Sequence, residues 1–169
     1  MDRLWTPWRY QYISGEAAEK SGDDSSPTNS CIFCTLPRKD PAQDERNLIV
    51  HRAQHNFIIL NLYPYTAGHL LVIPYEHTSE LDSVSKEGTD EMMDLAKRAQ
   101  TVLRAAYRPD GFNLGMNLGR AAGAGVAEHV HLHIMPRWTG DANFMSTIGE
   151  TRVLPEDLPT TYNKLHNKF

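Results

Sequence analysis

The run AEHVHLHIMPRW, Ala127 to Trp138, constrains this chain more than any other stretch, because His129, His131 and His133 alternate with Val130, Leu132 and Ile134. Side chains of an extended backbone point to opposite faces in turn. The pattern therefore describes a strand with an aliphatic face for the core and an imidazole face for a site. A polar outer face that holds histidine by chance is the bland account. It suits one or two histidines better than three of the chain's eight on alternate positions, closed by Met135-Pro136. Near neutral pH histidine serves as nucleophile, general acid or base and metal ligand, so the cluster calls for chemistry.

The rest of the composition narrows what that chemistry acts on. With 169 residues and 40% hydrophobic content, the chain is sized for one domain with a real core and short appendages. A net charge of −4 without blocks of like charge argues against a nucleic-acid groove or a polybasic membrane surface, so an anionic ligand must be held by local groups. No apolar run is long enough to span a bilayer, and MDRLWTPWRYQYI lacks the continuous apolar segment of a signal peptide. The expectation is a cytoplasmic protein. Its two cysteines, Cys31 and Cys34, then point to metal or redox use more than to a structural disulfide.

Residues 1–30 read as an aromatic segment carrying Trp5 and Trp8, followed by the flexible polar loop Gly15 to Ser30. NLIVHR and NFIILNLYP read as two strands joined by a turn around Ala53 to Asn56, and GHLLVIP as a third. Met92, Leu95, Ala96, Ala99, Val102, Leu103 and Ala106 recur at helical spacing and predict the main helix, ended by RPDG. FNLGMNLG follows as a strand, then the loop RAAGAGVAE and the histidines. A short helix after Pro159 completes an α+β arrangement with an antiparallel sheet.

Two smaller motifs accompany the histidines. Thiolates spaced as in Cys31-Ile-Phe-Cys34 can bite one tetrahedral zinc, provided two further nitrogen or sulfur ligands close the site; redox use is the rival reading. Gly123-Ala124-Gly125 can bring backbone N–H groups close to anionic oxygens. His51, His55 and His166 are expected on the surface, and Glu128, by alternation, on the strand face opposite the histidines.

His129-Val-His131-Leu-His133-Ile-Met135 resembles the signature of the histidine-triad (HIT) superfamily of nucleotide hydrolases and nucleotidyltransferases. NLYPYTAGHLLVIPYEH and GFNLGMNLGRAAGAG are similar to segments preceding the family's triad. LWTPWRYQYI and PRWTGDANF resemble bacterial members of the diadenosine tetraphosphate phosphorylase type. The resemblance implies a half-barrel antiparallel sheet with one main helix, a HIT domain over residues 31–145, a packed tail over 146–169, and a homodimer.

Carried over by position, it implies that His131 attacks the α-phosphorus of an adenine nucleotide or dinucleoside polyphosphate to form a nucleotidyl-histidine, dividing one displacement into two. His133 then contacts phosphoryl oxygens or the leaving group. His69 matches a further histidine close to the phosphates, Asn61 a residue on the ribose hydroxyls, and Asn117 an asparagine of the phosphate region, with Gly123 and Gly125 in the loop. A structural hydrogen bond for His69, and turn-stabilising roles for the two asparagines, are the alternatives. Cys31, Cys34, His77 and His129 resemble the ligand set of a structural zinc. The segment from Trp138 through Asp141, Asn143 and Phe144 lies near the site in this branch, with no catalytic role assigned. Transferases of the superfamily often carry glutamine where this chain has His133, a hydrolase-like residue, while the flanking motifs resemble phosphorylases. The second-step acceptor is accordingly inorganic phosphate or water, and a nucleotide-binding protein without turnover is the non-enzymatic alternative.

Overall fold

A computed structural model describes residues 31–151 and 153–169, so the expectations for residues 1–30 lie outside the described residues. The aliphatic runs of the sequence form one antiparallel sheet of β1 (Ile49–Arg52), β2 (Asn56–Leu60), β3 (Leu70–Pro74), β4 (Gly111–Gly115) and β5 (Leu132–Arg137). Their spatial order is β1-β2-β3-β5-β4. All five residues of β2 and of β3 are buried, so the sheet is covered on both faces there.

Alternation sorts each strand between two packed layers. Val50, Ile58, Leu60, Leu70, Val72, Leu132 and Ile134 face the helical layer. Ile49, Phe57, Ile59, Leu71 and Ile73 face the other side, where Cys31, Phe33 and Cys34 join them. Those last three come from α1 (Ile32–Thr35) and its N-terminal residue Cys31; a second short helix, α2 (Asp44–Asn47), leads into β1.

The long helix α3 (Lys86–Tyr107) covers the first face with Met92, Leu95, Ala96, Ala99, Val102 and Leu103; Ala106, predicted on the same stripe, is exposed. It starts before the first apolar repeat because a cap, not burial, sets its beginning. The Ser85 hydroxyl oxygen accepts from the Gly88 N–H, and Glu76 accepts from both the backbone N–H and the hydroxyl of Ser85. Arg108, left-handed at φ 48°, ends it before Pro109. After a single turn α4 (Phe144–Thr147), the expected tail helix is α5 (Leu158–Leu165), capped by Asp157; its Tyr162 and Leu165 enter the same core as α3.

The three histidines expected on the surface are half-buried instead. Phe169 stacks on His51 at 5.5 Å, Tyr162 stacks on His166 at 4.8 Å, and the His55 N–H donates to Glu91 at 2.8 Å. Spacing along the chain does not reveal that the tail folds back over β1.

Glu91 ties this helix to the sheet. Its carboxylate accepts from the backbone N–H groups of Gln54, His55 and Asn56 and from the Asn56 side chain, at 2.8–3.0 Å. The three backbone donors lie at the β1–β2 turn, where Glu91 satisfies them, and the Asn56 side-chain amide also donates to the Gly88 carbonyl at 3.0 Å. Hydrogen bonds to a charged group contribute about 1.5–3 kcal/mol. Glu91→Ala is expected to lower stability by about that amount in urea unfolding, whereas Glu87→Ala, on the exposed side of α3, changes it by less than about 0.5 kcal/mol.

Candidate active site and metal centre

The histidine run meets the sheet only partway. β5 pairs from Leu132 onward, with His133 between Leu71 and Gly115, while His129 and His131 precede the ladder. In the same register Val130 would oppose Pro74, which has no N–H to offer, and the Val130 N–H goes to the Thr78 carbonyl at 2.7 Å. The alternation survives all the same. The three imidazoles are buried on the side away from α3, with the His131 and His133 rings 4.9 Å apart and the His129 ring turned toward the cysteines. Glu128 is exposed and faces Arg120 at 3.8 Å.

The hydrogen bonds assign the tautomers. His131 Nδ1 lies 2.8 Å from the His129 carbonyl, so Nδ1 carries the proton and Nε2 keeps its lone pair. His69 Nδ1 accepts from the Tyr65 N–H at 3.1 Å and lies 3.3 Å from the Asn61 amide nitrogen. His69 Nε2–H therefore donates to His133 Nδ1 at 2.9 Å, which leaves the proton of His133 on Nε2. Among the described residues, that Nε2 is buried without a hydrogen-bond partner. The arrangement pairs a lone pair on one imidazole with an unused N–H donor on the next, which suits attack on a phosphorus and stabilisation of the charge that develops.

Burial holds these rings neutral. It pushes His133 down to about 4, with His131 adding to the effect, and it lowers His131 against the opposing pull of the His129 carbonyl.

Beside the catalytic-type pair, four predicted residues converge. One turn of chain supplies Cys31 and Cys34, His77 follows β3, and His129 begins the histidine run; all four ligand atoms lie within 4.8 Å of one another. His129 Nδ1 is 3.4 Å from Cys31 Sγ, 3.5 Å from Cys34 Sγ and 3.4 Å from His77 Nδ1, and Cys34 Sγ is 3.2 Å from His77 Nδ1. Tetrahedral zinc with Zn–N near 2.05 Å and Zn–S near 2.3 Å requires N···N of about 3.3 Å and N···S of about 3.6 Å. The cluster fits that ion. His129 Nε2–H donates to the Pro74 carbonyl at 2.9 Å, which fixes the tautomer with Nδ1 free to ligate. Burial and the neighbouring Cys31 push the Cys34 thiol up to about 11, so a cation is needed to hold Cys34 as a thiolate.

The remaining predicted residues are less central. The Asn61 side-chain oxygen accepts from the Tyr63 N–H at 3.1 Å, an Asx turn, while its amide reaches His69. Asn117, half-buried after β4, and Gly125 lie outside the hydrogen-bond chain of His69 and His133. Gly123, at φ +83°, is the left-handed residue that ends the turn Arg120–Ala122, and Gly119 precedes that turn at φ +77°. Two aromatic residues went unread in the sequence. Phe33 packs edge-on against His131 at 5.2 Å and His129 at 5.7 Å, and Tyr65 lies parallel to His133 at 6.1 Å. The only sequence signals for them are the cysteines that flank Phe33 and the interval from Tyr65 to His69.

The HIT domain pattern matches residues 42–140. The chain belongs to the HIT family. This HIT protein is 42% identical over its whole length to the AP-4-A phosphorylase of Mycobacterium tuberculosis strain H37Rv, of which it covers 85%. A zinc-bound histidine triad family protein from Mycobacterium smegmatis shares its fold with a TM-score of 0.65 and 30% identity, covering 83% of this chain and 94% of that one. A hypothetical histidine triad nucleotide-binding protein from Sulfolobus tokodaii follows at 0.64 and 26%, covering 82% and 91%. The antiparallel α+β arrangement expected from the sequence is thus that of the HIT fold. Among the described residues no helix is long and apolar enough to cross a membrane.

Two outcomes follow from this geometry. Protein purified without chelator is expected to contain one zinc per chain by elemental analysis. Cys34→Ser should weaken retention by more than the roughly 100-fold typical of changes behind the ligands, and lower the melting temperature. His133, whose folded value is depressed, contributes stability that is present above its ordinary pKa of about 6.5 and is lost as pH falls toward 4. Compared by chemical denaturation, the advantage of the wild type over His133→Gln should shrink by about 2 kcal/mol between pH 7 and pH 4.5.

Proposed function

We propose that this HIT protein cleaves diadenosine tetraphosphate or a related adenine dinucleotide at the α-phosphorus, with inorganic phosphate as the final acceptor. The observation that carries the reading is the tautomer of His131. Its Nε2 lone pair is held ready by the bond from Nδ1 to the His129 carbonyl, beside the His133 N–H, which has no partner among the described residues. In the first step His131 Nε2 bonds to the α-phosphorus, the bridging P–O bond breaks, and ATP leaves. The imidazolium that results keeps its Nδ1–H on the carbonyl, where positive charge strengthens the bond. In the second step a phosphate oxygen attacks the same phosphorus, the P–N bond breaks, ADP departs and neutral His131 returns.

His133 Nε2–H serves the phosphoryl oxygens, His69 holds its partner ring in register, and Asn61 is placed for the ribose beside them. Asn117 and the loop with Gly123 and Gly125 serve the phosphate region. Zinc on Cys31, Cys34, His77 and His129 is structural and joins the α1 segment to the chain entering β5. Reduced thiolates suit the cytoplasm. The edge strand β4, exposed over residues 113–115, offers backbone groups for a homodimer.

The similarity to an AP-4-A phosphorylase supports phosphate as acceptor. Hydrolysis is favoured by one observation, the histidine in place of glutamine at position 133. Phosphorus NMR of diadenosine tetraphosphate with the protein separates the two readings. ADP plus ATP, formed only when phosphate is present, is the expected result; AMP plus ATP regardless of phosphate means water is the acceptor. His131→Asn should reduce kcat/KM by at least about 10⁴-fold while nucleotide affinity changes by less than about fivefold. Full turnover in that variant would remove the covalent intermediate.

A further inference from the structure

Helix α3 lacks part of its cap within its own sequence. Ser85 is the N-cap, and in a reciprocal cap the third residue of the helix is Glu or Gln, whose side chain reaches back to the N-cap N–H. Here that third residue is Gly88. It has no side chain to give, and glycine inside a helix costs about 1 kcal/mol relative to alanine. Space for a larger residue is also short, since a Cβ at Gly88 would lie 3.0 Å from both Ser85 Oγ and Val84 Cγ1.

The carboxylate comes from the loop before the helix instead. Glu76 accepts from the Ser85 N–H at 2.9 Å and from the Ser85 hydroxyl. With its proton given to Glu76, that hydroxyl presents a lone pair to the Gly88 N–H at 3.2 Å. A negative charge at this point also suits the start of a 22-residue helix.

Glu76 is the chain neighbour of His77, a member of the metal cluster. The stretch that carries both is fixed at each end. The Tyr75 N–H donates to the His55 carbonyl at 2.9 Å, and the Thr78 carbonyl accepts from the Val130 N–H at 2.7 Å, beside His129. Between those two bonds lie only Glu76 and His77, one reaching the helix and the other the cluster. A change in the backbone at either residue is therefore passed to the other.

We propose that Glu76 is a positioning residue for the zinc ligand His77, and that capping of α3 and zinc binding are coupled through it. His77 held in the cluster keeps Glu76 against Ser85, and a capped helix keeps His77 aimed at the two cysteines. Such coupling is reciprocal: the factor by which the cap favours zinc is the factor by which zinc favours the closed cap. It is independent of the reaction proposed for His131.

The test uses the full zinc-loaded chain. Zinc retention is measured by competition with a chromophoric chelator, and amide hydrogen exchange by NMR at Gly88 and, toward the far end of α3, at Val102. Glu76→Ala should weaken retention about tenfold, the lower end of what residues behind metal ligands contribute. Ser85→Ala, which touches no ligand, should act in the same direction, whereas Glu87→Ala removes an equal charge from the first turn and should leave retention unchanged. In the reverse direction, stripping zinc from the wild type should speed exchange at Gly88 about tenfold with much less change at Val102, and in Glu76→Ala the exchange at Gly88 should no longer respond to zinc. Circular dichroism confirms that each variant is folded. Equal retention in Glu76→Ala and Glu87→Ala, or exchange at Gly88 indifferent to zinc in the wild type, would overturn the proposal. Equal acceleration at Gly88 and Val102 would overturn it as well, because zinc would then secure the whole helix and not its cap. A wild type that retains no zinc would remove the metal centre itself.

Discussion

The His129 carbonyl accepts the Nδ1–H of His131 at 2.8 Å while the His129 ring turns the other way, into the cluster with Cys31, Cys34 and His77. One residue thus ties the backbone that orients the His131 imidazole to a four-residue cluster drawn from distant parts of the chain. Phe33, held between the two cysteines, packs edge-on against both rings and closes the arrangement. If the cluster opened, the carbonyl would lose its anchor, and the tautomer of His131 would no longer be prescribed. The metal-type geometry and the reactive geometry form one mechanical unit.

Burial supplies the second half of that unit. Four imidazoles lie in the interior, and each has at least one ring nitrogen engaged in a directional hydrogen bond. A neutral ring in such a place is worth more as a nucleophile or donor than a protonated one in solvent. The unfolded chain is more readily protonated, and this cost of keeping histidines neutral appears as acid lability. In a cavity beyond Tyr65, the one cation among the described lining residues, Arg137, is held by Asp141.

Much of this was legible in the residues. Alternation in HVHLHI sorted imidazoles from aliphatics correctly, because period-two geometry holds in an extended chain whether or not it is paired. The ligand set Cys31, Cys34, His77 and His129, implied by resemblance, does converge. What the sequence hid depends on contacts between remote segments. Pro74 stops the ladder before His131, yet nothing in HVHLHI betrays which strand lies opposite. His51, His55 and His166 look like isolated surface histidines until the tail and Glu91 are placed over them. The start of α3 was misplaced because a periodicity reads burial, whereas Ser85 and Glu76 determine the end by capping.

The position of β5 in the sheet has a consequence for how the molecule comes into being. β3 and β4 are separated by α3 along the chain and never pair with each other; β5, made after both, slides between them. Until it does, β4 has no neighbour and the imidazole face does not exist. The histidine strand is therefore also the one whose insertion completes the sheet, a non-local closure of the kind that slows folding. The step that finishes the sheet is thus the same step that brings the buried imidazoles together.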